Sequence, residues 1–363
     1  VGFSGRHLAS LDGVRALAIV MVLLSHLFDS SVTQPGGFAH VPSPVRFVIH
    51  HGYLGVDLFF VLSGFLITGI LLRTRELGLK EYFKRFYTRR ALRILPLYFL
   101  VIALIGIAYG SIALPWLALA SLMSANLSAT LGVYIPSASG PFWSLAVEEQ
   151  FYLVWPWLVF WLPARWLTVV TIAIFVAEPF VRVFLPGDIE LAWYHSDGLA
   201  IGALTAIWFW HWNGDARPVR RLIVLLVATS VAVTVATIPY GGLREGPVAL
   251  AFRITEANLL FAALIAAAVA FSGARALAIL RSRPAVYTAL LSYCLYVIHR
   301  PLMSIYETFA PRLFPAAAHF TLAQTALTEG PFVIVFAYAV AALSWRYFEG
   351  PILRRGRGRA EAP

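Results

Sequence analysis

Arg15 and His26 stand eleven residues apart in one apolar run. On an α-helix, eleven steps of 100° bring the second side chain within about 20° of the first and about 16 Å further along the axis. Ionisable groups in such a run are costly and mark function by default. Histidine is the side chain suited to act as a base near neutral pH. The guanidinium fork of arginine suits phosphate oxygens. The bland reading is that Arg15 snorkels to an interface and His26 only packs.

A second constellation lies at the start of a later apolar run. Ser144, Glu148, Tyr152 and Trp155 follow helical spacing and share a face, with Glu149 about 100° away. A helix N-terminus, announced by Ser139 and Pro141, favours acidic residues through its dipole, and that is the structural alternative. Smaller polar clusters follow the same logic: Asp57 with Ser63, Gly64 and Thr68; His195, Ser196 and Asp197; and Tyr293, Tyr296, His299 and Arg300 before Pro301. Tyr296 and His299 are neighbours on one helix face. Trp143 precedes Ser144 and joins the candidates.

Other chemistries lack their signatures. Ser63-Gly64 is not a nucleophile elbow, because residue 61 is valine. No Walker lysine motif, G-x-G-x-x-G turn or H-E-x-x-H pair is present. His50-His51 lacks metal-ligand spacing and reads as loop surface, so no metal site is expected. Cys294 is the single cysteine, which excludes an intrachain disulfide and a cysteine-based zinc site.

The elements that position these residues are membrane helices. The chain has 363 residues, 60% hydrophobic and 13% charged, where soluble domains carry about 25% charged. The net charge of +10 would suggest nucleic acid in a soluble protein. Here the basic residues lie beside apolar runs, as the positive-inside bias requires, and no nucleic acid is expected. Spans of about 20 apolar residues are expected at 11–29, 53–72, 91–109, 143–163, 166–185, 191–211, 220–239, 247–271, 285–304 and 327–348.

Orientation follows from lysine and arginine. Residues 73–93, Arg217 with Arg220 and Arg221, Arg275 with Arg281 and Arg283, and the tail from Arg354 to Arg359 all read as cytoplasmic. Threading the chain through these marks gives an all-α polytopic protein with ten spans and both termini cytoplasmic. Residues 112–125 then cannot cross, and are expected to be re-entrant or interfacial. Outer connections are expected at 30–52, 110–142, 186–190, 240–246 and 305–326. Residues 1–350 form one membrane domain, and 351–363 a basic, unstructured tail. The first apolar run does not read as a clean signal peptide, since it carries Arg15 and His26 and no A-x-A site follows. The chain starts at Val1, which leaves room for preceding residues.

Six stretches occur in an order that resembles membrane acyltransferase family 3, the O-antigen and exopolysaccharide O-acetylase type. They are Leu11-Asp12-Gly13-Val14-Arg15-Ala16 running on to His26; Gly55-Val56-Asp57-Leu58-Phe59-Phe60-Val61-Leu62-Ser63-Gly64; Arg89-Arg90-Ala91-Leu92-Arg93-Ile94-Leu95-Pro96; Trp143-Ser144-Leu145-Ala146-Val147-Glu148-Glu149-Gln150; Asp197-Gly198-Leu199-Ala200-Ile201-Gly202; and Tyr293-Cys294-Leu295-Tyr296-Val297-Ile298-His299-Arg300-Pro301. The resemblance runs from about residue 8 to about residue 350. It implies a ten-span acyltransferase of the bacterial inner membrane. The donor is acyl-CoA, often acetyl-CoA, and no cofactor is permanently bound. The acceptor is a carbohydrate or glycoconjugate hydroxyl. The family's Arg-x10-His signature falls on Arg15 and His26.

There are two departures. His195 stands where members often carry arginine. A C-terminal SGNH-type domain, common in the family, does not follow, so acceptor delivery is expected from loops or a protein partner. On this reading His26 is the base. Arg15, Arg89, Arg90 and Arg93 hold the CoA phosphates, with Ser63 near the donor. Glu148 either orients His26 or binds sugar. Ser63 and His26 are both open as transient acyl carriers. The donor stays on the cytoplasmic side and the acceptor enters from outside. The competing class is a transporter or flippase, whose repeated halves are not seen here.

Overall fold

The computed structural model describes residues 8–360 apart from 39, 186, 189 and 241–246. Thirteen α-helices are present among them: α1 (Ala9–Thr33), α2 (Ser43–His50), α3 (Gly55–Thr74), α4 (Leu79–Tyr109), α5 (Leu114–Ser121), α6 (Phe142–Trp161), α7 (Ala164–Phe184), α8 (Ser196–Trp210), α9 (Ala216–Thr237), α10 (Pro247–Ala270), α11 (Arg283–Leu313), α12 (Leu322–Ser344) and α13 (Gly350–Ala360). Among the described residues there is no strand. The chain is an all-α, polytopic integral membrane protein.

Among the described residues, seven segments are long and apolar enough by themselves to cross a bilayer: Ala9–Thr33, Ser43–Thr74, Leu79–Ser121, Ala164–Phe184, Ala216–Tyr240, Val248–Ala270 and Leu322–Arg355. Three expected spans fall outside that set for visible reasons. α8 has only 15 residues, about 22 Å of helix. α6 carries Glu148, Glu149 and Gln150, and α11 carries His299, Arg300 and Glu307. A helix wrapped in protein need not be apolar all round, and most of α8 is buried.

Local structure departs from the expected boundaries in several places. Lys84, Arg85, Arg89, Arg90 and Arg93 lie on α4, not in a loop, because Tyr82 and Phe86 bury one face of its first turns. α11 runs on to Leu313, which shortens the expected connection at 305–326. α5, inside the expected non-crossing stretch, has 8 residues and covers about 12 Å, too little to cross alone. The Tyr98 hydroxyl pins it, donating to the Ala120 carbonyl at 2.8 Å. Composition predicts an irregular basic stretch after Glu349, but α13 is helical to Ala360. Residues 241–246 of one expected connection, and 361–363, lie outside the described residues.

The chain divides into two compact units. The first comprises residues 1–18, 56–82 and 147–287. Within it α9 packs along α10, and α7 along α8. α3 and α8 meet backbone to backbone. A Cβ on Gly64 would come 2.1 Å from the Leu199 carbonyl oxygen, and one on Gly202 would come 2.0 Å from that of Val61. Small residues permit such close crossings. Gly202→Ala must therefore push the two helices apart, costing about 1–3 kcal/mol. A thermal melt of the detergent-purified protein checks this, and an unchanged midpoint would contradict the crossing.

The second unit comprises residues 19–55, 83–146 and 288–363. Its helix α12 begins with a capping box. Thr321 Oγ1 accepts from the Gln324 amide at 3.3 Å, and Gln324 Oε1 accepts from the Thr321 amide at 2.9 Å. A π-turn, Trp345–Glu349, joins α12 to α13, and the Ser344 hydroxyl donates across it to Glu349 at 2.7 Å.

Candidate active site

In the second unit, α1 and α11 bring two histidines together. His26 Nδ1 lies 2.8 Å from His299 Nε2, with the rings stacked at 5.0 Å between centroids. His299 Nδ1 in turn lies 2.6 Å from the Tyr296 carbonyl oxygen, one turn earlier on α11. His299 is fully buried, whereas His26 keeps an exposed face. Beside this pair, Ser144 Oγ lies 2.5 Å from the Tyr296 hydroxyl and donates to the Pro141 carbonyl at 3.0 Å. Trp143 is half-buried next to Ser144.

Two further charges belong to this unit. The Arg300 stem lies over Gly140, where a Cβ would come within 3.2 Å of its Cγ. Glu329, on α12, is buried, and its Oε1 has no hydrogen-bond partner among the described residues. Arg300 and Glu307 are the charges that act on it. One residue later, Gly330 faces the Phe28 ring of α1, where a Cβ would come 2.7 Å from Cζ. α12 is thus tight against α1 half a turn past His26.

The basic cluster of α4 also lies in the second unit. Arg89 and Arg93 share a face at i, i+4. Arg89 is exposed, and Arg90 and Arg93 are half-buried. Arg93 acts electrostatically on Glu349 at the π-turn.

The first unit holds the other candidates. Glu148 of α6 accepts hydrogen bonds from the Ser63 hydroxyl of α3 and, at 2.5 Å, from the Tyr152 hydroxyl. Ser63 Oγ and Tyr152 OH are 2.6 Å apart, so the three groups form a closed triangle. One turn on, Trp155 Nε1 donates to Thr68 Oγ1 at 2.8 Å. The shared face predicted for Glu148, Tyr152 and Trp155 therefore meets α3. The resemblance leaves Glu148 open as a group that orients His26 or binds sugar. Within the first unit its partners are Ser63 and Tyr152. Arg15 pairs with Asp12 at 3.6 Å, one turn back on α1.

Asp57 and Asp197 are both buried against basic side chains of the first unit. Asp57 Oδ1 lies 2.9 Å from His195 Nδ1. His195, where the resemblance expects arginine, thus still meets a carboxylate with a basic side chain. Asp197 receives Arg182 Nη2 at 2.6 Å, Thr255 Oγ1 at 2.5 Å and Asn258 Nδ2 at 3.1 Å. Arg182 also donates to the carbonyls of Tyr194 at 2.9 Å and Ala251 at 2.8 Å. Glu178, on the same helix, accepts from the Ser196 amide at 3.2 Å. These groups bond chiefly to one another, so Asp197 sits in a packed polar knot and not on an open surface. Nearby, in the connection before α8, burial and Asp188 push the Glu190 carboxyl up to about 7, with His195 opposing the shift.

Glu178, Arg182 and Glu329 are absent from the candidates drawn from sequence. Each is an ionisable residue inside an expected span, so the rule that singles out His26 also flags them. Thr255 and Asn258 carry no such signal, since a hydroxyl or amide inside a span is cheap enough to be unremarkable.

A family model described as an acyltransferase domain matches residues 8–346. The peptidoglycan O-acetyltransferase OatA of Listeria monocytogenes is 27% identical over 98% of this chain and 57% of its own length. The O-acetyltransferase OatA of Staphylococcus aureus is 26% identical over 98% of this chain and 58% of its own length. The chain thus spans under three fifths of the length of these relatives. No solved structure matches it. With a model match across nearly the whole chain, on a polytopic helical protein of the bacterial plasma membrane, the chain belongs to the acyltransferase-domain family, membrane acyltransferase family 3.

Proposed function

We propose that this protein is a membrane-embedded O-acyltransferase that moves an acetyl group from acetyl-CoA to a hydroxyl of a cell-envelope glycan, with peptidoglycan the first acceptor to test. Family membership supports the acyl transfer, and the similarity to O-acetyltransferases, one of them a peptidoglycan O-acetyltransferase, supports acetyl and peptidoglycan. The observation that carries the reading is His26, an imidazole in a membrane helix with one nitrogen bonded and one face open.

His26 takes the proton from the attacking hydroxyl as its oxygen adds to the thioester carbonyl. The carbon–sulfur bond then breaks. The thiolate leaves with that proton as CoA-SH, and the hydroxyl oxygen keeps the acetyl group as an ester. Arg89, Arg90 and Arg93 supply guanidinium groups for the CoA phosphates. Arg15 has the same assignment through the family's Arg-x10-His signature. Ser63 serves the donor and Glu148 the acceptor hydroxyls. Trp143, Ser144, Asp57, Asp197 and Tyr296 then have supporting roles. The donor is assigned to the cytoplasmic side, where the basic patches lie, and the acceptor to the outer side. A protein partner delivers the acceptor if no further domain does.

The test is binding and slow hydrolysis of acetyl-CoA by the detergent-purified protein. Wild type should do both. Arg90→Glu with Arg93→Glu should weaken binding at least tenfold if each lost charge-assisted contact contributes about 1.5 kcal/mol or more. A wild type that neither binds nor hydrolyses acetyl-CoA rejects the donor assignment.

A further inference from the structure

Within the histidine pair, the hydrogen-bond chain determines which nitrogen of His26 faces the reaction. A carbonyl oxygen only accepts, so His299 Nδ1, 2.6 Å from the Tyr296 carbonyl, carries its proton. A neutral imidazole has one N–H, so His299 Nε2 is then an acceptor. His26 Nδ1, 2.8 Å away, must be the donor. That leaves the lone pair of His26 on Nε2, for which no protein partner is present among the described residues. The direction of the chain starts from a backbone carbonyl, which cannot reverse. Burial separates the two rings in the same sense, with His299 enclosed and His26 open on one face.

We propose that His299 is a positioning residue that holds His26 in the Nδ1–H tautomer, so that Nε2 is the basic nitrogen presented to the acceptor hydroxyl. This rests on the acyltransferase reading above and deepens it. The second histidine takes the role of the carboxylate in a hydrolase triad, which fixes the tautomer and orientation of the base. It differs in carrying no charge of its own. An uncharged acceptor fixes the proton on Nδ1 without an ion pair in the membrane interior, where an isolated charge is expensive.

Two variants and one spectroscopic readout test this in the detergent-purified full chain. His299→Phe keeps the ring volume and removes the acceptor. It should lower kcat for acetyl-CoA turnover by about 10-fold or more, the lower end of what removing the partner that orients a metal-bound histidine costs. KM for acetyl-CoA should stay near the wild-type value, because His299 has no assigned contact with the donor. His299→Gln puts an amide oxygen where Nε2 stood and should restore most of the lost rate. A residue needed only for packing would give the opposite order, with phenylalanine the milder change.

Nitrogen-15 spectra of labelled histidines read the tautomer directly. The His26 resonances, identified among the nine histidines by their loss in His26→Gln, should show a protonated Nδ1 and a bare Nε2. In His299→Phe they should shift towards the Nε2–H form. A wild-type His26 protonated on Nε2, or a His299→Phe enzyme with wild-type kcat, overturns the proposal. If wild type turns over no acetyl-CoA, the acyltransferase reading fails by itself. The spectra still decide the pair, because they need no substrate.

Discussion

Arg182→Met is expected to destabilise the protein by about 3–5 kcal/mol, more than the helix crossing loses in Gly202→Ala. The reason is asymmetric. Arg182 and Asp197 have side chains only 3% and 0% exposed and approach to 2.6 Å. Bringing both charges out of water costs about as much as their attraction returns, so the intact pair is not itself a strong stabiliser. Removing one partner is different. Asp197 would keep Thr255 and Asn258 but lose its cation. Adding Asp197→Asn to Arg182→Met should recover most of the loss. It removes the orphaned charge and leaves an amide that still accepts from Thr255. Thermal or denaturant unfolding in detergent measures both variants. A single variant that unfolds with the wild type, or a double variant no better than the single, would show that the pair is not coupled in this way.

The largest effect on activity is expected at His26. His26→Gln removes the basic nitrogen and keeps a polar side chain that can still donate to His299. Loss of a general base lowers rate by about 10²–10⁴-fold. Acetyl-CoA binding should persist, because the proposed phosphate anchors are arginines elsewhere in the sequence. The informative measurement is the split between the two, with turnover from acetyl-CoA release and affinity from equilibrium binding. Loss of turnover with retained binding is the signature of a base. Joint loss of both would move His26 into donor binding. Full retention of turnover would remove His26 from the chemistry altogether.

Both sites include contacts between residues far apart in the chain. His26 and His299 are separated by 273 residues, and Asp197 and Asn258 by 61. Periodicity places residues on a face of one helix. It carries no information on which other face that one will meet. Thus the stripe Glu148, Tyr152 and Trp155 is legible from spacing alone, but its partners Ser63 and Thr68 are not. His26 is legible as an ionisable group in an apolar run, but its partner His299 is not. The π-turn at Trp345–Glu349 and the helical course of α13 have no marker at all, since neither requires a particular residue.

By itself, the sequence determined that this chain is a bundle of membrane helices, because the bilayer demands long apolar runs that satisfy their own backbone hydrogen bonds. It determined the family too, because six motifs recur in one order. Tertiary structure alone decided the partners: His299 behind His26, Ser63 and Tyr152 on Glu148, His195 on Asp57 and Arg182 on Asp197. A polar group inside a membrane protein must find another, and which one it finds is settled by how the helices pack.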